Sequence, residues 1–121
     1  MTTKRPGARY KDIVDGCSAI AEYLDGCDEN MWHAEAMRRD AVERQLLVIG
    51  EAAAKLGDQA EKDIPSQPWR QICGLGNRLR HEYDGINSEL IWRLVSGDQL
   101  ADLRAAVAAH LTLESGKADE K

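Results

Sequence analysis

A short polar run in the second half of the chain carries the side chains best suited to chemistry. It contains Asn77, Arg78, Arg80 and His81. Each residue of an α-helix advances by about 100°, so Asn77 and Arg78, four and three residues before His81, lie near it on one face. Arg80 lies about 100° around the helix from His81. The spacing therefore predicts a histidine flanked by an amide and at least one guanidinium.

These side chains suit the cleavage of phosphodiester bonds. A histidine titrates at about pH 6.5 and can accept or release a proton at cellular pH. An arginine can stabilise the charge that develops on phosphate oxygens. The 2′-hydroxyl of RNA is a built-in nucleophile, so this chemistry requires no metal and no other cofactor. A histidine beside arginines on a helix is also typical of a solvated surface, and spacing alone leaves both interpretations open.

Composition predicts a single all-α domain in the cytoplasm. The length of 121 residues fits one domain, and helix-forming residues dominate while Phe is absent. The three cysteines form no C-x-x-C pair and fit neither a disulfide framework nor a zinc site. We see no signal peptide and no apolar run long enough for a membrane span. With a net charge of −5, the protein can bind nucleic acid only through a local basic patch.

Apolar residues at three- and four-residue spacing predict an antiparallel bundle of about five helices. Asp28 or Asn30 is the expected N-cap of the second helix, and Gly50 within it would let a neighbouring helix approach closely. Gly74 and Gly76 indicate either a tight contact at a dimer seam or a local kink. The predicted helices cover residues 10–24, 28–56, 69–83, 87–95 and 98–113. We expect a flexible arm at 1–9, the helical domain at 10–113 and a disordered tail at 114–121.

Four pieces of the sequence resemble the HepT-like branch of HEPN domains. They are Tyr10-Lys11-Asp12-Ile13, Val48-Ile49-Gly50-Glu51-Ala52-Ala53, Pro68-Trp69-Arg70-Gln71-Ile72, and Asn77-Arg78-Leu79-Arg80-His81-Glu82-Tyr83 followed by Ile91-Trp92. The resemblance extends from about Tyr10 to Leu111. It implies a five-helix bundle that homodimerises, with two copies of the family motif facing each other in a composite ribonuclease cleft.

The resemblance also implies roles for individual residues. The family motif is an arginine, four residues, a histidine, one residue and a tyrosine. His81 corresponds to the motif histidine, Asn77 to the polar residue after the motif arginine, and Tyr83 to the tyrosine. In such toxin–antitoxin pairs, which are type VII-like, a partner nucleotidyltransferase of the MNT class can add AMP to that tyrosine and silence the toxin. Tyr83 is therefore the candidate acceptor, although it also continues the apolar stripe of its helix.

One position departs from the family motif. The motif arginine falls at position 76, where this chain has Gly76. Removal of a preorganised charge-stabilising group costs about 10²–10³ in rate. Arg78 can replace it from the same helix, and Arg80 can do so by reaching around the helix or across the dimer. The alternative is a catalytically silent HEPN module that binds the nucleotidyltransferase and helps present a substrate to it.

Other polar residues support weaker hypotheses. The pair Arg38-Arg39, together with Arg44, is typical of a solvated helix face, and the alternative is a basic path for RNA or for the partner. Glu51 stands in an apolar surround, which predicts an ion pair with an arginine across the bundle.

Overall fold

The computed structural model describes residues 3–81 and 88–119, without the side chains of 80, 81 and 117–119. Every regular element of this described part is a helix, which confirms the predicted all-α class. None of the described helices has the length and apolar character needed to cross a membrane. The described helices are α1 (Pro6–Tyr23), α2 (Glu29–Ala34), α3 (Ala36–Leu56), α4 (Asp58–Asp63), α5 (Trp69–His81), α6 (Ser88–Ser96) and α7 (Gln99–Asp119).

Helix α3 is the centre of the bundle. It packs against both α1 and α5, while α7 packs against α1, and α6 contacts both α2 and α7. The predicted apolar stripes form the core, because their side chains face the neighbouring helices. The buried stripe residues are Tyr10, Ile13, Cys17 and Ile20 of α1, Val42, Leu46, Ile49, Ala53 and Leu56 of α3, and Leu103 and Val107 of α7.

The predicted second helix is two helices, and its prediction as one continuous element is wrong. The break is at Glu35, whose backbone leaves the helical region with φ −109° and ψ 89°. Asp28, rather than Asn30, caps α2, since its carboxylate accepts a hydrogen bond from the Met31 amide at 2.8 Å. The Arg39 guanidinium donates to the Trp32 carbonyl at 3.0 Å and thereby satisfies a carbonyl that the end of α2 leaves open.

Other helix bounds differ from the predicted ones by a few residues. The first helix begins at Pro6, a residue well suited to a first helical turn, and the last helix continues to Asp119. The connection after Gly57 holds a helix of its own, α4, in a stretch that lies outside the predicted helices. The division of the chain into an arm at 1–9, a domain at 10–113 and a tail at 114–121 stays a prediction.

Helices α3 and α5 cross at two glycines. A Cβ built on Gly50 would lie 2.9 Å from the backbone nitrogen of Gly76, closer than real Cβ atoms come, and 3.2 Å from its Cα, which is tighter than most real contacts. A Cβ built on Gly76 would lie 3.8 Å from the Cα of Gly50, an ordinary contact distance. The close helix approach predicted at Gly50 is therefore confirmed. The neighbour that Gly76 contacts there is α3 of the same chain.

The asymmetry of this crossing predicts opposite effects for two matched substitutions. Gly50→Ala should lower the free energy of unfolding by about 1–3 kcal/mol, because the new methyl group must displace the backbone of α5. Gly76→Ala should raise it by about 0.5–1 kcal/mol, because alanine favours the helix and its Cβ fits. Urea denaturation of the two variants beside the wild type measures both changes. Equal effects of the two substitutions would contradict the crossing described here.

Candidate functional site

Helix α5 has a buried inner face and an exposed face that carries two of the predicted site residues. Trp69 and Leu79 are buried, and the Trp69 indole donates to the Ile64 carbonyl at 2.7 Å. Asn77 and Arg78 are exposed on the opposite side of the helix. This division follows from the helical period, which separates the apolar residues of the segment from its polar ones.

Only part of the predicted site lies among the described side chains. The side chains of Arg80 and His81 lie outside them, and Tyr83 lies outside the described residues altogether. The described backbone is a continuous α-helix from Trp69 to His81, with Asn77 and Arg78 within about one turn of the histidine. The helix that the spacing argument requires is therefore present, while the catalytic roles and the modification of Tyr83 stay predictions.

Position 76 supplies no positive charge to the predicted site. Gly76 carries no side chain and is buried at the crossing with α3. Arg78, two residues later, is exposed and makes no ion pair or hydrogen bond among the described residues. A charge that stabilises a phosphate at this site must therefore come from another position, and Arg78 is the arginine nearest to His81 whose side chain the structure describes.

An apolar groove borders the exposed end of α5. It has a volume of about 650 Å³ and lies among α5, α6 and α7. Arg78 lies on its lining together with apolar side chains, and Leu90 of α6 stands 51% exposed there. Apolar surface of this kind marks an interaction site more often than a freely solvated face. The apolar lining comprises Ile49, Ile72, Leu75, Leu79, Leu90, Ile91, Leu94, Leu100 and Leu103.

Two arginines of the hypothetical basic path have structural partners. The Arg38 guanidinium pairs with Glu35 at 2.8 Å and donates to the Tyr23 carbonyl at 2.8 Å. Arg39 is held by the carbonyls at the end of α2. These contacts stabilise the corner between α2 and α3. Arg44 is exposed without an ion pair among the described residues, and one arginine by itself does not form a basic path.

The predicted pairing of Glu51 with an arginine across the bundle is wrong. Glu51 lies on the exposed side of α3 and pairs with Lys55 of the same helix at 3.5 Å. Its position beside the apolar residues of the stripe suggested burial, but the following helical turn brings a lysine within reach. An exposed pair of this kind contributes little stability.

A polar cluster that the sequence analysis missed joins α1, α4 and α7. The Tyr10 hydroxyl donates to Asp63 Oδ2 at 2.7 Å, and Gln59 donates to Oδ1 at 2.8 Å. His110 Nε2 lies 3.6 Å from Asp63 Oδ2, and its ring meets the Tyr10 ring edge-on with centroids 5.0 Å apart. Burial and the Asp63 carboxylate raise the pKa of Tyr10 above its usual value, so the phenol stays protonated. These contacts link helices α1, α4 and α7.

Burial raises the thiol pKa of two of the three cysteines. All three are free thiols, and burial raises the pKa of Cys17 to about 11, which leaves little thiolate at neutral pH. Burial also raises the pKa of the half-buried Cys73. Among the described side chains, no three His, Cys, Asp or Glu residues lie close enough together to hold a metal ion.

Comparison with known proteins identifies the family of this chain. The model of the family described as ribonuclease HepT-like matches residues 13–109, from α1 to α7. A Methanocaldococcus jannaschii protein provisionally named an RNase is 34% identical over 98 residues, which cover 81% of this chain and 90% of the relative. A Caldanaerobacter subterraneus protein with the same kind of name is 30% identical over 95 residues, covering 78% and 83% of the two chains.

A third relative carries the name of the family itself. It is a Thermococcus cleftensis protein named probable ribonuclease HepT, 28% identical over 89 residues that cover 73% of this chain and 80% of the relative. No solved structure matches the chain. The family match contains the crossing of α3 and α5 and the polar face of α5, and on this evidence the chain belongs to the HepT-like ribonuclease family.

Proposed function

We propose that this protein is a cytoplasmic, toxin-type endoribonuclease that cuts RNA without a metal and is neutralised by a nucleotidyltransferase of the MNT class. The observation that carries the proposal is the exposed polar face of α5, where Asn77 and Arg78 lie within about one turn of His81. Membership of the HepT-like family supports RNA as the substrate.

The proposed reaction uses the 2′-hydroxyl of the RNA as its nucleophile. His81 accepts the hydroxyl proton while the 2′-oxygen attacks the adjacent phosphorus. The bond from phosphorus to the 5′-oxygen breaks, a cyclic phosphate forms, and the leaving oxygen takes up a proton. Asn77 positions the histidine or the phosphate. Arg78 stabilises the charge on the phosphate oxygens, and Arg80 is the alternative source of that charge.

The proposed active form is a homodimer. The groove among α5, α6 and α7 supports a second copy as its occupant, because it is apolar, open and next to Arg78. A dimer formed there brings two copies of α5 near one cleft, so that one His81 accepts a proton and the other supplies one. Light scattering should then give twice the 13.4 kDa mass of the chain.

Incubation of the purified protein with end-labelled RNA in EDTA tests the proposed function. We expect discrete cleavage products that carry a cyclic phosphate, because the reaction needs no metal. Intact RNA after incubation with the folded dimer would overturn the nuclease assignment.

A silent HEPN module is the second candidate, and the buried Gly76 favours it. Without the motif arginine the cleft lacks the charge that the family motif supplies. The chain would then bind the nucleotidyltransferase and help present a substrate to it. Expression without the partner separates the two candidates, since a nuclease should arrest growth and a silent module should not.

Tyr83 is the proposed acceptor of AMP, although it lies outside the described residues. Tyr83→Phe removes the hydroxyl that would attack the α-phosphorus of ATP and release pyrophosphate. We expect this variant to lose labelling by the cognate nucleotidyltransferase with ATP labelled at the α-phosphate. Tyr23→Phe is the matched control, because Tyr23 is 36% exposed at the end of α1 and should not affect labelling. Full labelling of Tyr83→Phe would remove Tyr83 as the acceptor.

A further inference from the structure

Positive charge in this acidic protein is concentrated on one helix. Against a net charge of −5 for the chain, α5 contains Arg70, Arg78 and Arg80 and no acidic residue. An acidic protein needs such a local concentration to bind a polyanion. Helix α5 is therefore the segment on which an RNA strand should lie, and this argument rests on the proposed function.

Most of the other lysine and arginine side chains that the structure describes already have a partner in the protein. Ion pairs or hydrogen bonds hold the side chains of Arg9, Lys11, Arg38, Arg39, Lys55, Arg93 and Arg104. Arg70 and Arg78 are exposed, and neither makes an ion pair or hydrogen bond among the described residues. No other helix presents two such arginines among the described side chains. An unpaired guanidinium can bind a phosphate without first losing another partner.

The two free arginines flank an open stretch of backbone. Arg70, Gly74 and Arg78 are spaced four residues apart, so they lie on one side of the helix and span about 12 Å along its axis. A Cβ built on Gly74 would meet no atom of the described residues within 4 Å. The glycine therefore leaves the space between the two guanidinium groups clear, and a phosphodiester backbone can approach the helix closely there.

We propose that Arg70 binds an RNA phosphate remote from the bond that is cut, and that Arg70 and Arg78 together align the strand along α5. Arg70 lies eleven residues before His81, about 16 Å along the helix. It is therefore a positioning residue that favours longer RNA strands. The scissile phosphate lies at the other end of the helix, beside His81.

The test compares Arg70→Gln with Arg44→Gln, a matched exposed arginine on α3 without an ion pair among the described residues. Fluorescence anisotropy of a labelled single-stranded RNA is titrated with salt. We expect Arg70→Gln to reduce the slope of log affinity against log salt by about 0.7, the value for one lost contact to a single strand. Arg44→Gln should keep the wild-type slope, and Arg70→Lys should keep most of it because the charge remains.

The dependence of cleavage on substrate length gives a second measurement. It should not change if Arg70 has only a structural role. The KM for an oligonucleotide long enough to cover α5 should rise several-fold in Arg70→Gln, while kcat stays unchanged. Cleavage of a dinucleotide should be the same as in the wild type. If the wild type binds and cuts RNA but Arg70→Gln keeps both slope and KM, the inference is overturned and a protein partner is the better occupant of this face. If the wild type binds no RNA, the proposed function itself fails.

Discussion

Replacement of His81 by alanine is expected to lower the rate of RNA cleavage in EDTA by about 10²–10⁴-fold. The proposed reaction moves a proton from the 2′-hydroxyl and returns one to the leaving oxygen, and His81 is the residue beside Asn77 and Arg78 that can do both at neutral pH. The measurement is single-turnover cleavage of end-labelled RNA by variant and wild type. Anisotropy on the same RNA should show unchanged binding, because the substitution removes a proton carrier and leaves the arginines in place.

His33→Ala is the control for this experiment. His33 is exposed on α2, and its Nδ1 lies 3.0 Å from the Ser88 hydroxyl, so its loss removes one surface contact. We expect this variant to cut RNA at the wild-type rate. Cleavage by His81→Ala at that same rate would show that another group moves the proton and that the site is elsewhere.

The features that repeat along the sequence were predictable. The apolar stripes of α1, α3 and α7 follow the helical period, and burial of residues such as Ile13, Leu46 and Val107 confirms them. Helix α3 ends at residue 56, the predicted end of the second helix, and Gly57 follows it with a positive φ of 56° that favours glycine. The polar face of α5 was predicted for the same reason, because Asn77 and Arg78 are separated from Leu79 by the helical rotation.

The features that depend on distant partners were not predictable. No glycine or proline marks the break at Glu35. Two contacts accompany this break: the Arg39 guanidinium donates to the Trp32 carbonyl at the end of α2, and the Trp32 indole donates to the Ser88 carbonyl at 2.8 Å. The bond from Tyr10 to Asp63 joins residues 53 positions apart. A single sequence contains no local signal for such pairs. Gly50 indicated a close approach, but only the structure identifies Gly76 as the residue it meets.

Replacement of Arg78 by glutamine is expected to lower the cleavage rate by about 10²–10³-fold. The phosphate gains negative charge in the transition state. The position of the family arginine supplies no positive charge to balance it, since Gly76 is buried and lacks a side chain. Arg78 is exposed, makes no ion pair among the described residues and lies three residues from His81. Glutamine keeps much of the length of the arginine side chain and some of its hydrogen-bonding capacity. The decrease in cleavage rate therefore measures the contribution of the positive charge.

A set of variants measured at saturating RNA identifies how the charge acts. Arg78→Lys should fall between the wild type and Arg78→Gln, because lysine keeps the charge but not the planar fork that can bind two phosphate oxygens. Arg44→Gln should cut at the wild-type rate, because Arg44 lies on another helix. A wild-type rate in Arg78→Gln would move the role to Arg80, and parallel loss in Arg80→Gln would then establish it. Since the buried glycine at position 76 supplies no charge, a nuclease of this sequence must take it from one of these two arginines or from outside the motif helix.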